Sequence, residues 1–561
     1  MCNLYHTNTM EDSFIKLIES SIKGNWELNA LTDYKGETLR YKDIARKIAK
    51  MHIMFESMGI QKGDKIAICG RNSAHWVVAF LGTITYGAVA VPILHEFKPD
   101  NVHHIVNHSE SRILFAGDQV WENLNELFMP SLEAIVSLPD FSLLVSRSES
   151  MTYAREHLNE LFGKKYPNNF RAEHVSYQYE MPEELAIINY TSGTTGYSKG
   201  VMLPYRSILS NVQLCQERIA IKPGDSIVSM LPLGHVFGMV FDFLFGICQG
   251  AHLWFLTRMP SPKIIAESFS EIRPRVISSV PLVVEKIFKK NILPQVDTTL
   301  GRFLLKLPII SDKIKTRARE EAMKVFGGNF IEIIIGGAPF NAEVEAFLRM
   351  IDFPYTMAYG MTECGPIICH SFWQDLKQNS CGQVVPRMEV KIDSPNPHTI
   401  PGELTCKGTN VMLGYYKNEK ATQEVIDKDG WLHTGDMAII DEDGYVYIKG
   451  RCKNMLLTAS GQNIYPEEIE AKLNNMLYVS ESIVILKNEK LIALVYPDWG
   501  ELGENARSKE NIDSLMEKCR QELNQQLPAY SQITRIKMWP EEFEKTAKKS
   551  IKRYLYQDVD I

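Results

Sequence analysis

Short runs of β-branched and apolar residues alternate with longer amphipathic stretches through the first two thirds of the chain. Residues 65–70, 113–118, 185–190, 275–280 and 331–335 are such runs, each followed by turn residues and then a helical period. Runs apolar on both faces belong to strands covered on both sides, so this part of the chain reads as α/β with buried strands. From about Cys381 the texture changes. Short strands broken by Gly, Pro and Asp turns, as in MEVKIDSPNPHTIPGELTCKG and AIIDEDGYVYIKG, predict a β-rich subdomain over residues 381–450. Residues 451–561 have the size of a small domain, with a helix at 466–473, strands at 482–486 and 491–496, and a helix at 508–526. That last helix is charged on most faces and reads as a solvated surface.

Composition narrows the class. Hydrophobic residues make up 45% and charged residues 23%, as in soluble globular domains, and 561 residues exceed one ordinary core. Several packed units with a pocket between them are expected. The apolar runs at 89–94 and 331–335 fall far short of the roughly 20 residues that span a bilayer, and Gly interrupts the stretch 241–256. The N-terminus lacks the pattern of a signal peptide, so a cytoplasmic location is expected. A net charge of -7 gives no drive toward nucleic acid, which is set aside as a partner. The 10 cysteines form no CxxC pair or Cys/His cluster, which fits reduced thiols. His104 and His108 are spaced to share a metal on a helix, but with no third ligand they read as structural.

The chemistry begins after the strand at 185–190. It runs into TSGTTGYSKG, where Gly193, Gly196 and Gly200 let backbone amides approach an anion. Thr191, Ser192, Thr194 and Thr195 can donate to phosphate oxygens, and Lys199 supplies charge. This is a polyphosphate cradle but not a Walker A loop, because Ser198 rather than Gly precedes the lysine.

The string YTSGTTGYSKG resembles the phosphate loop of the adenylate-forming superfamily, which includes acyl-CoA synthetases, peptide-synthetase adenylation domains and firefly luciferase. Further signatures follow in family order over nearly the whole chain. The resemblance implies an α/β fold. Two α/β subdomains and a small β-barrel-like subdomain would form a large N-terminal domain (1–450), with a small α+β lid domain (451–561) hinged near Lys453. It also implies Mg²⁺ and ATP as cofactors, with coenzyme A as the acyl acceptor.

Site roles follow from the same resemblance. Gly336, Gly337 and Ala338 in GGAPF would line the adenine cleft. In YGMTE, Tyr359 and Gly360 would meet the base, Thr362 the α-phosphate, and Glu363 would hold Mg²⁺. Asp436 in GWLHTGD would accept the ribose hydroxyls and Arg451 in GRCKN would contact the same sugar. Ser460 and Gly461, with Gln462, would lie near the thiol tunnel. His235 in LPLGHVFG would orient the reacting carboxylate, and VPLVVEKIF (280–288) would suit either an alkyl tunnel or a core helix.

One departure stands out. The family pattern Lys-Thr-x-x-Gly-Lys-hydrophobic-x-Arg meets KTAKKSIKR here, which puts Ser550 at the adenylation lysine. Lys549 is taken as the substitute, with Lys548 and Lys552 flanking it, so the catalytic set reads Thr191, His235, Glu363 and Lys549. The expected activity is activation of a medium- or long-chain fatty acid to acyl-AMP and its transfer to coenzyme A. Delivery to a separate acyl carrier protein, or noncatalytic binding of nucleotide and acyl group, are the alternatives. A fatty substrate is compatible with peripheral contact with a membrane.

Overall fold

A computed structural model describes residues 13–191, 198–256, 262–291, 308–457, 463–503, 508–546, 550–557 and 559. Two mixed sheets build the N-terminal part. In the eight-stranded sheet, strands Leu185–Thr191, Val89–Ile93, Lys65–Cys69, Ser111–Ala116 and Ala134–Ser137 run parallel. Antiparallel strands finish its edges, Leu143–Ser146 on one side, Lys199–Pro204 and Gly414–Tyr415 on the other. The nine-stranded sheet has a parallel core running from Tyr355–Gly360 through Glu332–Gly336, Val276–Ser279, Ser226–Ser229 and His252–Phe255 to Asn29–Asp33.

The predicted strands are buried as their composition requires: Ile66, Ile68, Ile113, Phe115 and Ile334 are fully covered. Helix Ala74–Thr85 explains the coverage. It is buried around nearly its whole circumference and touches strands of both sheets, as expected for a helix without a polar face. Ser73 caps it by accepting from the Trp76 amide at 3.1 Å, satisfying one of the free donors of the first turn. Trp76 stacks on Phe80 at 5.6 Å, and Phe243 meets the Phe80 ring edge-on at 5.4 Å. Phe243 belongs to the apolar stretch that glycines interrupt. There the chain winds as a π-helix over Met239–Leu244, continues as Phe245–Cys248, turns at Gly250 and becomes strand His252–Phe255. Its hydrophobicity serves the core, and no described helix is long and apolar enough to cross a membrane.

Two expectations change, and one open alternative is decided. The strand at 185–190 leads not into a helix but into a second strand, Lys199–Pro204, which returns antiparallel before helix Tyr205–Arg218. A Cβ on Gly200 would meet Ile188 at 2.9 Å, so this glycine serves the close packing of the hairpin. The helix at 281–291 buries Val284, Ile287 and Phe288 in a cluster with Phe326, Phe347 and Phe353, so these three fill core rather than line a tunnel. Helix Lys509–Gln525 is not solvated all round. Ile512, Met516, Cys519 and Leu523, spaced along one face, are buried, three of them in the core with Leu473, Ala493 and Val495.

The remaining units are smaller. Strands Met388–Asp393, Gly402–Gly408, Leu432–Ile440 and Val446–Arg451 form a four-stranded antiparallel sheet. Val479–Lys487, Lys490–Pro497 and Arg535–Met538 form the three-stranded sheet of the C-terminal part.

Candidate active site

The four-stranded sheet and the nine-stranded sheet meet at a group of three side chains. Asp436 and Arg451 face each other across paired strands, and Arg451 Nε lies 2.9 Å from Asp436 Oδ1. Tyr359, near the end of strand Tyr355–Gly360, donates its hydroxyl to Asp436 Oδ2 at 2.6 Å. The backbone amide of Asp436 donates to Thr434 Oγ1, and Arg451 also reaches the Thr434 carbonyl at 3.2 Å. Asp436 is 4% exposed. Burial pushes its carboxyl above the usual range while Arg451 and Tyr359 hold it down, and the Glu467 and Glu363 carboxylates push it up again. The Tyr359 hydroxyl is raised well above its ordinary value by burial and by the Asp436 charge.

A second group joins the phosphate hairpin to the Thr362–Cys364 turn. Lys199 Nζ lies 4.8 Å from the centre of the Tyr415 ring, and Tyr415 donates its hydroxyl to Glu363 Oε1 at 2.8 Å. Strand Gly414–Tyr415 pairs with Lys199–Pro204, and the Tyr416 amide donates to the Gly200 carbonyl. Tyr415 therefore stands between the cation and the carboxylate. It was not singled out from the sequence, where the only signal is the aromatic pair in GYYKN. On the far side, His108 Nδ1 lies 2.7 Å from the Tyr190 hydroxyl, one residue before Thr191. The histidine weighed as a metal ligand is thus engaged with the strand that feeds the loop.

The glycines divide by cause. Gly337 adopts φ +88, and a Cβ there would meet no atom within 4 Å, so it borders open space. A Cβ on Gly360 would lie 1.9 Å from the Pro366 carbonyl oxygen, so protein packing alone demands this glycine. Gly336 and Ala338 flank Gly337, and a Cβ on Gly336 would lie 3.2 Å from the Phe237 ring. Phe237 follows His235, so the acid segment and the GGAPF turn are neighbours.

His235 caps the short helix Val236–Gly238, its Nδ1 accepting from the Phe237 amide at 3.2 Å. Behind it lies Asp242, fully buried in the π-helix, whose Oδ2 accepts the Met230 and Leu231 amides at 3.1 and 3.2 Å. Burial pushes the Asp242 carboxyl up to about 7 against the pull of the Ser278 hydroxyl and of the Leu231 and Met230 amides. Because the folded value lies above the unfolded one, the native state holds the extra proton, and stability should fall as pH rises from about 4 to 7. Asp242→Asn keeps the acceptor and removes the titration. Its melting temperature should gain on the parent between pH 5 and 8, and a pH-independent difference would refute this reading.

The C-terminal part contacts this region through helix Pro466–Leu473. Lys449 pairs with Glu468 at 3.4 Å, and Asn454 donates to Glu467 at 2.5 Å. Lys453 sits exposed in the turn Cys452–Asn454 that follows strand Val446–Arg451. Thr546 donates its amide to the Ser550 carbonyl at 2.8 Å beside an antiparallel bridge between Lys545 and Ile551, and Lys552 is paired with Glu544. Ser192, Gly193, Thr194, Thr195, Gly196, Ser460, Gly461, Gln462, Lys548 and Lys549 lie outside the described residues.

Among the described residues no group of three or more His, Cys, Asp or Glu side chains is arranged to hold a metal. Glu363, 9% exposed beside Thr362, supplies one hard carboxylate, the donor set suited to a Mg²⁺ that arrives with nucleotide phosphates and keeps its waters.

Residues 18–416 match the family described as AMP-binding enzyme, and residues 453–558 match the AMP-binding enzyme C-terminal domain. The chain is 27% identical over 514 residues to the long-chain-fatty-acid–CoA ligase ACSBG1 of Rattus norvegicus, covering 86% of this chain and 69% of that protein. It is 29% identical over 553 residues to the long-chain-fatty-acid–CoA ligase 1 of Homo sapiens, covering 91% and 77%. Among solved structures, the anthranilate CoA ligase AuaEII in complex with anthranoyl-AMP superposes with a TM-score of 0.77 at 19% identity, over 98% of this chain and 97% of that one. With its family match spanning most of its length, the chain belongs to the AMP-binding enzyme family, with its resemblance running to the acyl-CoA synthetases.

Proposed function

We propose that the chain activates a medium- or long-chain fatty acid with ATP to acyl-AMP and pyrophosphate, then transfers the acyl group to coenzyme A. The observation that carries this reading is the buried Asp436 held between Tyr359 and Arg451, next to the carboxylate–tyrosine–lysine group of Glu363, Tyr415 and Lys199. Together they supply an acceptor for a ribose diol, a ring for a purine and a cation for phosphate. The fatty-acid ligases among its relatives support the acyl class.

In this reading Asp436 accepts the ribose hydroxyls, Arg451 steadies the sugar, and Tyr359 stacks on adenine above the open space at Gly337. Thr191, Ser192, Thr194 and Thr195, with the amides of Gly193 and Gly196, hold the phosphates, and Thr362 donates to the α-phosphate. A carboxylate is a poor electrophile, so its oxygen attacks the α-phosphorus and expels pyrophosphate. Negative charge grows on the phosphorus oxygens, where Lys199 and Lys549 answer it. Mg²⁺ held by Glu363 would shield the same oxygens when bound. His235 orients the acid. Rotation of the C-terminal part about Lys453 then brings Ser460 and Gly461 to the thiol, which displaces AMP from the acyl carbon.

Acid-dependent ATP–pyrophosphate exchange across a chain-length series, followed by thioester detection with coenzyme A or an acyl carrier protein, tests the proposal. Exchange should appear with medium- and long-chain acids, and thioester with coenzyme A alone. Lys549→Ala should lower exchange by about 10²-fold, as expected for loss of a transition-state cation, and Ser550→Lys should raise it. No exchange with any acid would leave the noncatalytic alternative suggested by Ser550. A loss confined to Lys552→Ala would show that the wrong lysine was chosen.

A further inference from the structure

Residues 230–235 leave the nine-stranded sheet after strand Ser226–Ser229 and carry the histidine assigned above to the acid. Three side chains from three elements take up the polar backbone groups of this segment. Asp242 accepts the amides of Met230 and Leu231. Asn72 donates to the Leu231 carbonyl at 2.7 Å and accepts the Leu233 amide at 2.9 Å. Asn189 donates to the Gly234 carbonyl at 2.8 Å. Asn72 follows strand Lys65–Cys69 and Asn189 lies within Leu185–Thr191, so both reach across from the eight-stranded sheet.

Asn189 has the more telling position. It is 1% exposed, two residues before the first hydroxyl of the phosphate loop, and its partner Gly234 immediately precedes His235. A Cβ on Gly234 would lie 3.2 Å from the backbone of Ile93 and Leu94, so a glycine is what allows this segment to come so near the sheet. A buried amide costs desolvation unless it is bonded, and an apolar residue would fill the same space without that cost. What the asparagine adds is one directional bond from the phosphate-loop strand to the residue beside His235.

We infer that Asn189 is a positioning residue that sets the distance between strand Leu185–Thr191, from which the phosphate loop departs, and His235, keeping the acid carboxylate in line with the α-phosphorus. The inference rests on the role proposed for His235. Its effect belongs in the chemical step, because a displacement of about 1 Å in a reacting pair costs on the order of 10²-fold in rate while leaving each substrate's own contacts intact.

The test uses Asn189→Leu, which keeps the branched shape at a larger volume and removes the donor, and Asn189→Ala as a second variant should leucine not fold. Both should lower kcat for pyrophosphate exchange about tenfold or more. ATP affinity measured by calorimetry without acid, and the melting temperature, should stay close to the parent. In a His235→Ala background the asparagine substitution should cause little further loss, because the two residues act as one unit. Additive losses, an unchanged kcat, or a parallel fall in ATP affinity and melting temperature would each overturn the inference. Loss of exchange in the parent, or an unaffected His235→Ala enzyme, would instead count against the proposed function. Amide hydrogen exchange separates the two cases without needing activity. Asn189→Ala should speed exchange around His235 while strand Leu185–Thr191 stays protected, and unchanged protection around His235 overturns the inference even in an inactive parent.

Discussion

Asp436→Ala should lower kcat/KM for ATP in pyrophosphate exchange by about 10²-fold or more, with little change in the acid dependence. Each hydrogen bond to a charged acceptor contributes about 1.5–3 kcal/mol, and the ribose diol would lose two. The substitution also leaves the buried Tyr359 hydroxyl without the acceptor 2.6 Å away, so the ring proposed to carry adenine loses its anchor. Asp436→Asn retains an acceptor oxygen and should lie between parent and alanine. Arg451→Ala should cost less, since that side chain is 55% exposed and water can replace much of what it provides. The measurement is exchange kinetics together with calorimetric binding of AMP. An alanine variant that binds AMP as the parent does would remove Asp436 from the nucleotide site.

Arg553→Ala should destabilise the C-terminal part by about 3 kcal/mol, the lower end of the cost of breaking a buried ion pair, because Arg553 is 20% exposed while the Glu470 it leaves behind is buried. Its partner Glu470 is 6% exposed and also accepts the Val484 amide at 2.6 Å, so the carboxylate stays fixed when the arginine is gone. Burial pushes the Glu470 carboxyl up and Arg553 holds it down. Without Arg553 the acid should take a proton nearer neutral pH, and the loss of stability should shrink as pH falls from about 8 to 5. Activity should fall with stability, because the one-turn helix Arg553–Leu555 follows closely on the bonded residues Thr546 and Ser550. Lys552→Ala breaks an exposed pair with Glu544 and should leave the unfolding midpoint nearly unchanged. Equal effects at positions 552 and 553, read by chemical denaturation with a C-terminal probe, would contradict the assignment of burial as the cause.

The parts of this protein legible from sequence are those encoded by contiguous residues. Runs apolar on both faces announced the parallel strands, because a strand covered on two sides needs no polar positions. Residues 331–335 accordingly appear as strand Glu332–Gly336. Where a segment's neighbours decide its form, the pattern was insufficient. The charge along Lys509–Gln525 conceals a one-sided apolar stripe, and the Gly- and Ser-rich residues before Lys199–Pro204 carry no pattern that announces a second strand.

The candidate site divides the same way. The sequence by itself determined the family, and the resemblance carried by short contiguous strings put forward the phosphate loop and Tyr359, Glu363, Asp436 and Arg451 as the proposed nucleotide set. Only the tertiary structure decided that Tyr415 bridges Lys199 and Glu363, that Gly360 answers to Pro366 while Gly337 borders open space, and that Asn189 reaches Gly234 from another sheet. Apart from Gly360 and Pro366, six positions apart, these partners are separated by tens to hundreds of positions in the chain, and a contact between them leaves no periodicity or spacing for a single sequence to display.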